Sequence, residues 1–173
     1  MTHYSWQKEL KDIYDAATLR FRDGTRDPEQ CFSSDEKTAL ATIGLKPINV
    51  FDYIEDYVDR GEPDWETFVL IAAARRDYFL HEQNGEWSQA ELDSSKLPSK
   101  TEAVEGIEWL PRITQKAECF LGGGLCRDIM YGCGGDRNFL KAHRIHPADF
   151  LRMIWAARGD QRKVLEFVKH RAA

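Results

Sequence analysis

Pro47-Ile48-Asn49-Val50-Phe51-Asp52-Tyr53-Ile54-Glu55-Asp56-Tyr57-Val58-Asp59-Arg60-Gly61 decides the fold class. Proline suits the first position of a helix, where its missing N–H would find no partner anyway, and glycine suits the position just past the end. Between them Ile48, Phe51, Ile54 and Val58 recur at helical spacing and make one apolar stripe. The stretch therefore predicts a helix over 47–60 with that stripe buried. No stretch of the chain alternates apolar and polar residues convincingly enough to predict a strand.

The same grammar extends outward in both directions. Upstream, Trp6, Leu10, Ile13, Tyr14 and Ala17 mark a helix over 5–21, and a shorter one over 34–43 stops at Gly44. The polar stretch between them, with Gly24 and Pro28, reads as a loop. Downstream, Pro63 opens a helix to about 83, with Asp64 and Glu66 in its first turn, where the helix dipole favours anions. Its apolar face carries Trp65, Phe68, Val69, Ala72 and Phe79. Later helices are predicted over 110–121, with Gly122-Gly123-Gly124 as the break, and over 137–143. Another follows Pro147, with Phe150, Leu151, Ile154 and Trp155 buried, and ends at Gly159. The last is capped by Asp160 and buries Val164, Leu165 and Val168. A short helical turn over 125–131 is expected between two of them. The expectation is an all-α, multi-helix bundle of two packed halves, 1–84 and 106–173. Residues 85–105, rich in serine and with Gly85 and Pro98, form the flexible linker.

Composition narrows the function classes. The chain has 173 residues, of which 42% are hydrophobic and 12% aromatic, enough for a substantial core. Acidic residues outnumber basic ones, the net charge is -5, and there is no basic run, which argues against a duplex nucleic-acid partner. The longest apolar run, 68–74, is too short to cross a bilayer, so no membrane partner is expected. Residues 1–9 lack the apolar stretch of a secretory leader. Cys31, Cys119, Cys126 and Cys133 then read as reduced thiols of a cytoplasmic protein. Oligomeric state is open.

The chemistry concentrates in Met130-Tyr131-Gly132-Cys133-Gly134-Gly135-Asp136-Arg137, downstream of Trp109-Leu110-Pro111-Arg112. Glycine lets backbone approach a partner closely, and Asp and Arg are seldom buried unpaired. Cys133 is either a nucleophile, activated by Arg137 or by the start of the following helix, or a small buried residue in a tight turn. Asp136 is either an acid–base group or the cap of the helix starting at Arg137. Arg112 and Lys116, four apart, share a helix face and need an anion between them: solvent, Asp136, or a ligand carboxylate or phosphate. Arg76, on the edge of the apolar face in Arg75-Arg76-Asp77-Tyr78, is either in a helix–helix ion pair or holds an anion. Arg112 and Arg137 each call for a carboxylate, with Asp136, Asp77 and Glu55 as candidates. Three templates fail. Gly122-Gly123-Gly124 lacks the Lys-Ser/Thr of a phosphate loop. The Gly-Cys-Gly-Gly corner lacks the preceding strand and last glycine of a dinucleotide site. No close cysteine pair supports zinc, so neither metal nor cofactor is expected.

Gly106-Ile107-Glu108-Trp109-Leu110-Pro111-Arg112, Lys116-Ala117, Met130 to Leu140, Asp149-Phe150-Leu151 and Trp155 together resemble a bacterial family designated a domain of unknown function (number five thousand and sixty-nine). Its members share the Leu-Pro-Arg helix start, the following Lys-Ala and a Cys-Gly-Gly-Asp-Arg-like corner. The resemblance is clearest over 105–171. Glu55-Asp56-Tyr57 and Arg75 to Leu80 are similar to longer members. It implies no particular activity.

The leading expectation is a site for a small anionic metabolite at the junction of the two halves. Arg76, Arg112, Lys116, Arg137 and Tyr131 would bind it. Asp136, Cys133 or Asp77 would supply any chemistry. The rival is a non-catalytic interaction or scaffold module whose polar network only locks structure. An open pocket with convergent charges favours the first. A closed, fully paired network favours the second.

Overall fold

The helical grammar holds in the computed structural model of the chain, which describes residues 1 and 3–172. Among the described residues there are nine α-helices, one 3-10 turn and one hairpin of two-residue strands, so the fold is all-α. The chain divides into two units, Met1–Trp87 and Ser88 onward.

The first unit holds α1 (Trp6–Arg22), α2 (Pro28–Cys31), α3 (Ser34–Ala41), α4 (Pro47–Arg60) and α5 (Trp65–His81). The α2 helix lies inside the stretch expected to be a loop. Asp27 starts it by accepting from the Glu29 N–H, with proline in the first turn. The Ser33 hydroxyl and Glu36 carboxylate cap α3 reciprocally. Gly61, left-handed at φ 77°, closes α4 as expected.

The buried face of α4 is Val50, Phe51, Tyr53 and Ile54. Ile48 and Val58 are only half-buried, so the helix is rotated from the expected stripe. The aromatic neighbours explain the rotation: Phe21 meets Phe51 edge-on at 5.4 Å, and Phe68 meets Tyr53 at 4.9 Å. Pro63 lies outside α5 rather than at its first turn. Asp64 caps that helix by accepting from the Thr67 N–H at 2.9 Å.

The second unit contains the 3-10 turn Ser94–Lys96, β1 (Ala103–Val104) paired antiparallel with β2 (Ile107–Glu108), α6 (Leu110–Gly122), α7 (Gly134–Ala142), α8 (Pro147–Ala157) and α9 (Gln161–Ala172). It packs α8 on both α6 and α9. Its core is built on Ile113, Ala117, Phe150, Leu151 and Val168. Asp160 caps α9 through the N–H groups of Arg162 and Lys163, as its position implied.

Residues 88–105 are not a free linker. They belong to the second unit, bury Leu92 and Leu97, and include the turn and the first strand. The expected helical turn over 125–131 is instead non-helical backbone.

Candidate polar site around Asp136

Helix α7 starts earlier than its sequence suggested, at Gly134, with Cys133 as the cap residue. That shift moves Asp136 from the cap into the first turn. Its carboxylate, 0% exposed, reaches away from its own helix. Oδ1 accepts from the Trp109 indole N–H at 2.9 Å. Oδ2 accepts from the Lys116 ammonium at 2.5 Å and from the Gly132 N–H at 2.8 Å. The expectation that Asp136 is the cap residue of α7 is thus corrected: it accepts from Trp109 and Lys116 in tertiary contacts and, locally, from the Gly132 N–H just ahead of the helix.

Three local features build this arrangement. Trp109 precedes α6 in a left-handed conformation, φ 68°, which is costly for a residue with a large side chain. That conformation lays the indole against Gly135, where an added Cβ would fall 2.4 Å from the ring. The glycine is therefore needed for close approach of the ring. Two turns into α6, Lys116 is 3% exposed and carries its ammonium into the same spot.

The Lys116 ammonium also lies 3.3 Å from the Cys133 sulfur. Cys133 is half-buried, with its side chain making no cap hydrogen bond. Arg137, buried, donates Nη1 to the Gly132 carbonyl at 2.7 Å, bracing the turn that presents the Gly132 N–H. The Tyr131 hydroxyl donates to the Pro147 carbonyl at 2.8 Å, and its ring stacks on Phe120 at 5.5 Å. The network is therefore closed around Asp136, and it brings together Lys116, Cys133, Asp136 and Arg137.

Arg112 is not part of it. Its Nη1 donates to the Pro98 carbonyl at 2.6 Å, and its guanidinium lies 5.8 Å from the Trp109 ring centre. The expected carboxylate partner of Arg112 is replaced by a carbonyl and an aromatic face. The anion that Lys116 required is Asp136.

Arg76 and Asp77 belong to the first unit. Arg76 is 7% exposed; Nη1 pairs with Asp77 at 3.2 Å and Nη2 donates to His3 Nδ1 at 2.9 Å. Its carboxylate partner is thus its sequence neighbour on α5 rather than a residue of another helix. Its neighbour Arg75 is buried more deeply, at 1% exposure. Arg75 Nη1 donates to Gln83 Oε1 at 2.7 Å, and Nη2 is buried with no hydrogen-bond partner. The rings of Phe79 and Trp87 lie 5.2 and 5.5 Å from its guanidinium carbon. Burial pushes its pKa down to about 10, with Tyr78 and no carboxylate among the described residues working against it.

Sequence reasoning passed over Arg75, although the signal was present. Phe68, Ala72, Arg75 and Phe79 are spaced four, three and four apart, which puts the arginine in the centre of the apolar face.

No family model, no curated protein and no solved structure matches the chain. Among the described residues no group of His, Cys, Asp and Glu side chains is arranged to hold a metal ion, and no helix is long and apolar enough to cross a membrane.

Proposed function

We propose that this protein binds a small anionic molecule, a carboxylate or a phosphate, with Arg75 as the anchoring cation. One observation carries this reading: a guanidinium 1% exposed has, among the described residues, no hydrogen-bond partner at Nη2 and no carboxylate opposite it. Buried charges are ordinarily paired, because leaving water is costly and only a counter-charge offsets it. Sites that bind often retain such a cost in the ligand-free protein. An anion at Nη2 supplies the missing counter-charge, while the Phe79 and Trp87 rings lie beside the guanidinium and hold it in place. The proposed relationship to the family of unknown function adds no activity to this reading.

A second observation supports a structural role for the Asp136 corner, the part of the scaffold alternative that applies there. Every oxygen of Asp136 is engaged and the carboxylate is fully buried. In this reading Asp136, Lys116 and Arg137 lock the second unit, and the anion is held elsewhere.

Thermal melts test the binding reading. Wild type and Arg75→Met are each melted with inorganic phosphate, pyrophosphate, citrate and malate. A ligand at a hundred times its Kd stabilises the wild type by roughly 2.7 kcal/mol. Arg75→Met is expected to lose that gain while staying within about 1 kcal/mol of the ligand-free wild type, because a buried charge and its few contacts leave together. If Arg75→Met loses several kcal/mol and no anion shifts the wild type, Arg75 is structural and the reading fails.

A further inference from the structure

The second unit contains a pocket that the anion reading does not use. Gln115, Glu118, Cys119 and Gly122 are spaced three, one and three apart, which places them on one face of α6. Residues 88–96 run over that face and leave a cleft of about 420 Å³ between the two. The size is within the range of small-molecule sites. The strap is fixed at its far side: the Leu92 N–H donates to the Gly124 carbonyl at 2.7 Å. A Cβ on Gly124 would stand 2.6 Å from the Ala90 carbonyl oxygen, so only glycine permits the approach. This gives the last glycine of Gly122-Gly123-Gly124 a role that phosphate binding did not supply.

The polar groups of the pocket are mostly acceptors. Gln115 Oε1 is buried and has no hydrogen-bond partner. Glu91 and Glu118 both border the space. Asp93 is already bonded to Ser95 and paired with Lys96, so that pair is neutral. The two glutamates are left as the net charge of the rim. Leu92 and the Cys119 thiol provide apolar wall, and burial pushes the Cys119 thiol up, which keeps it neutral. Partial burial also pushes the Glu118 carboxyl up; its one partner, Gln161, is at 3.5 Å.

We infer that this cleft is a binding site for a small organic amine: its ammonium faces Glu118 and Glu91, an N–H satisfies Gln115 Oε1, and its carbon body lies on Leu92 and Cys119. An orphaned carbonyl oxygen calls for a donor, and two unbalanced carboxylates call for a cation. An anion meets repulsion here, so this site is separate from Arg75 in both chemistry and place.

Gly122 makes the inference testable. It is helical, and a Cβ there meets nothing within 4 Å. Gly122→Leu therefore fills the cleft while improving helix propensity. Isothermal titration calorimetry is run with benzylamine and putrescine, and with benzyl alcohol and 1,4-butanediol as uncharged counterparts. Saturable one-to-one binding of an amine is expected, with no binding of either alcohol. Gly122→Leu should weaken it at least tenfold with no loss of melting temperature, and Glu118→Gln should weaken it several-fold. If Gly122→Leu melts lower than the wild type, Glu118→Lys decides, since it reverses the rim charge on an exposed side chain. An amine affinity unchanged by charge reversal, equal binding to Gly122→Leu in its folded form, or no saturable amine binding overturns the inference.

Discussion

Removing both members of the Lys116–Asp136 pair should cost clearly less than the sum of the two single removals. The pair is dry: the two side chains are 3% and 0% exposed, with the ammonium 2.5 Å from the carboxylate. In Lys116→Met the carboxylate keeps the Trp109 and Gly132 N–H groups but loses its counter-charge. In Asp136→Asn the side-chain volume is retained, yet one acceptor oxygen becomes an NH2. Whichever way the amide turns, that NH2 meets a donor: Trp109 Nε1 on one side, or Lys116 and Gly132 on the other. Breaking a buried pair from one side costs about 3–5 kcal/mol, because the remaining charge stays buried and uncompensated. The double variant Lys116→Met, Asp136→Leu removes both charges and leaves mainly the Trp109 and Gly132 donors without an acceptor, each worth roughly 1–3 kcal/mol. The two single costs therefore should not add, with a coupling of about 2 kcal/mol or more. Urea unfolding followed by far-ultraviolet circular dichroism measures all four corners of the cycle. Either single variant costing below about 1 kcal/mol, or two costs that simply add, would refute the view that this corner is an electrostatic lock.

Two further outcomes follow from the geometry. Arg20 grips Glu36 with two hydrogen bonds, at 2.7 and 3.1 Å. Burial alone would push the Glu36 carboxyl up, but the bonds from Arg20 and Ser33 outweigh it and hold it below its ordinary 4.5. A depressed carboxylate contributes stability that is complete above its unfolded pKa and is lost as pH falls through the folded one. Glu36→Gln should therefore cost stability at neutral pH and flatten the acid limb of a stability–pH curve below about pH 4.5; an unchanged acid limb contradicts the clamp. The cysteines should label in a definite order with iodoacetamide. Cys31 is fully buried and burial pushes its thiol up, whereas half-buried Cys133 has an ammonium 3.3 Å from its sulfur. Mass spectrometry of the folded protein should find Cys133 modified well before Cys31; equal rates would return Cys133 to a packing role.

Much of the helical framework was legible because its signals are local. Pro47 and Gly61 bracket a helix whatever surrounds them, and Asp160 caps from two residues away. Errors arose where distant residues decided the outcome. Helix α4 turns its Val50 and Tyr53 inward because aromatic rings from α1 and α5 meet that side, and no periodicity within 47–60 contains that information. Residues 85–105 looked like a linker because apolar residues are sparse there. Two leucines and one backbone hydrogen bond to Gly124 suffice to dock the strap. Asp136 looked like a helix cap because the local pattern allows it; its indole donor lies 27 residues upstream. The candidate site was thus legible as a cluster of residue types, with Asp136 among the anions considered for Lys116, whereas the partners of Arg112 and the Trp109 contact were not.

The two most buried cations carry opposite meanings for function. Lys116 and Arg75 are equally withdrawn from water, at 3% and 1% exposure. The first faces a carboxylate that is itself held by two neutral donors, so its charge is spent on structure. The second has a carboxamide at one end, two aromatic rings beside it and, among the described residues, no hydrogen-bond partner at Nη2. A displacement of the Arg75 pKa from 12.5 to about 10 corresponds to a penalty on the charged form of about 3 kcal/mol, since each unit is worth roughly 1.4 kcal/mol. A charged hydrogen bond offsets roughly 1.5–3 kcal/mol of that, and ring contacts about 0.5–2 more. The ligand-free protein therefore gains little from keeping arginine at this position, and methionine would fill the space without the penalty. That small contribution to folding is why the proposed anion site rests on Arg75 and not on the more conspicuous Cys-Gly-Gly-Asp-Arg corner.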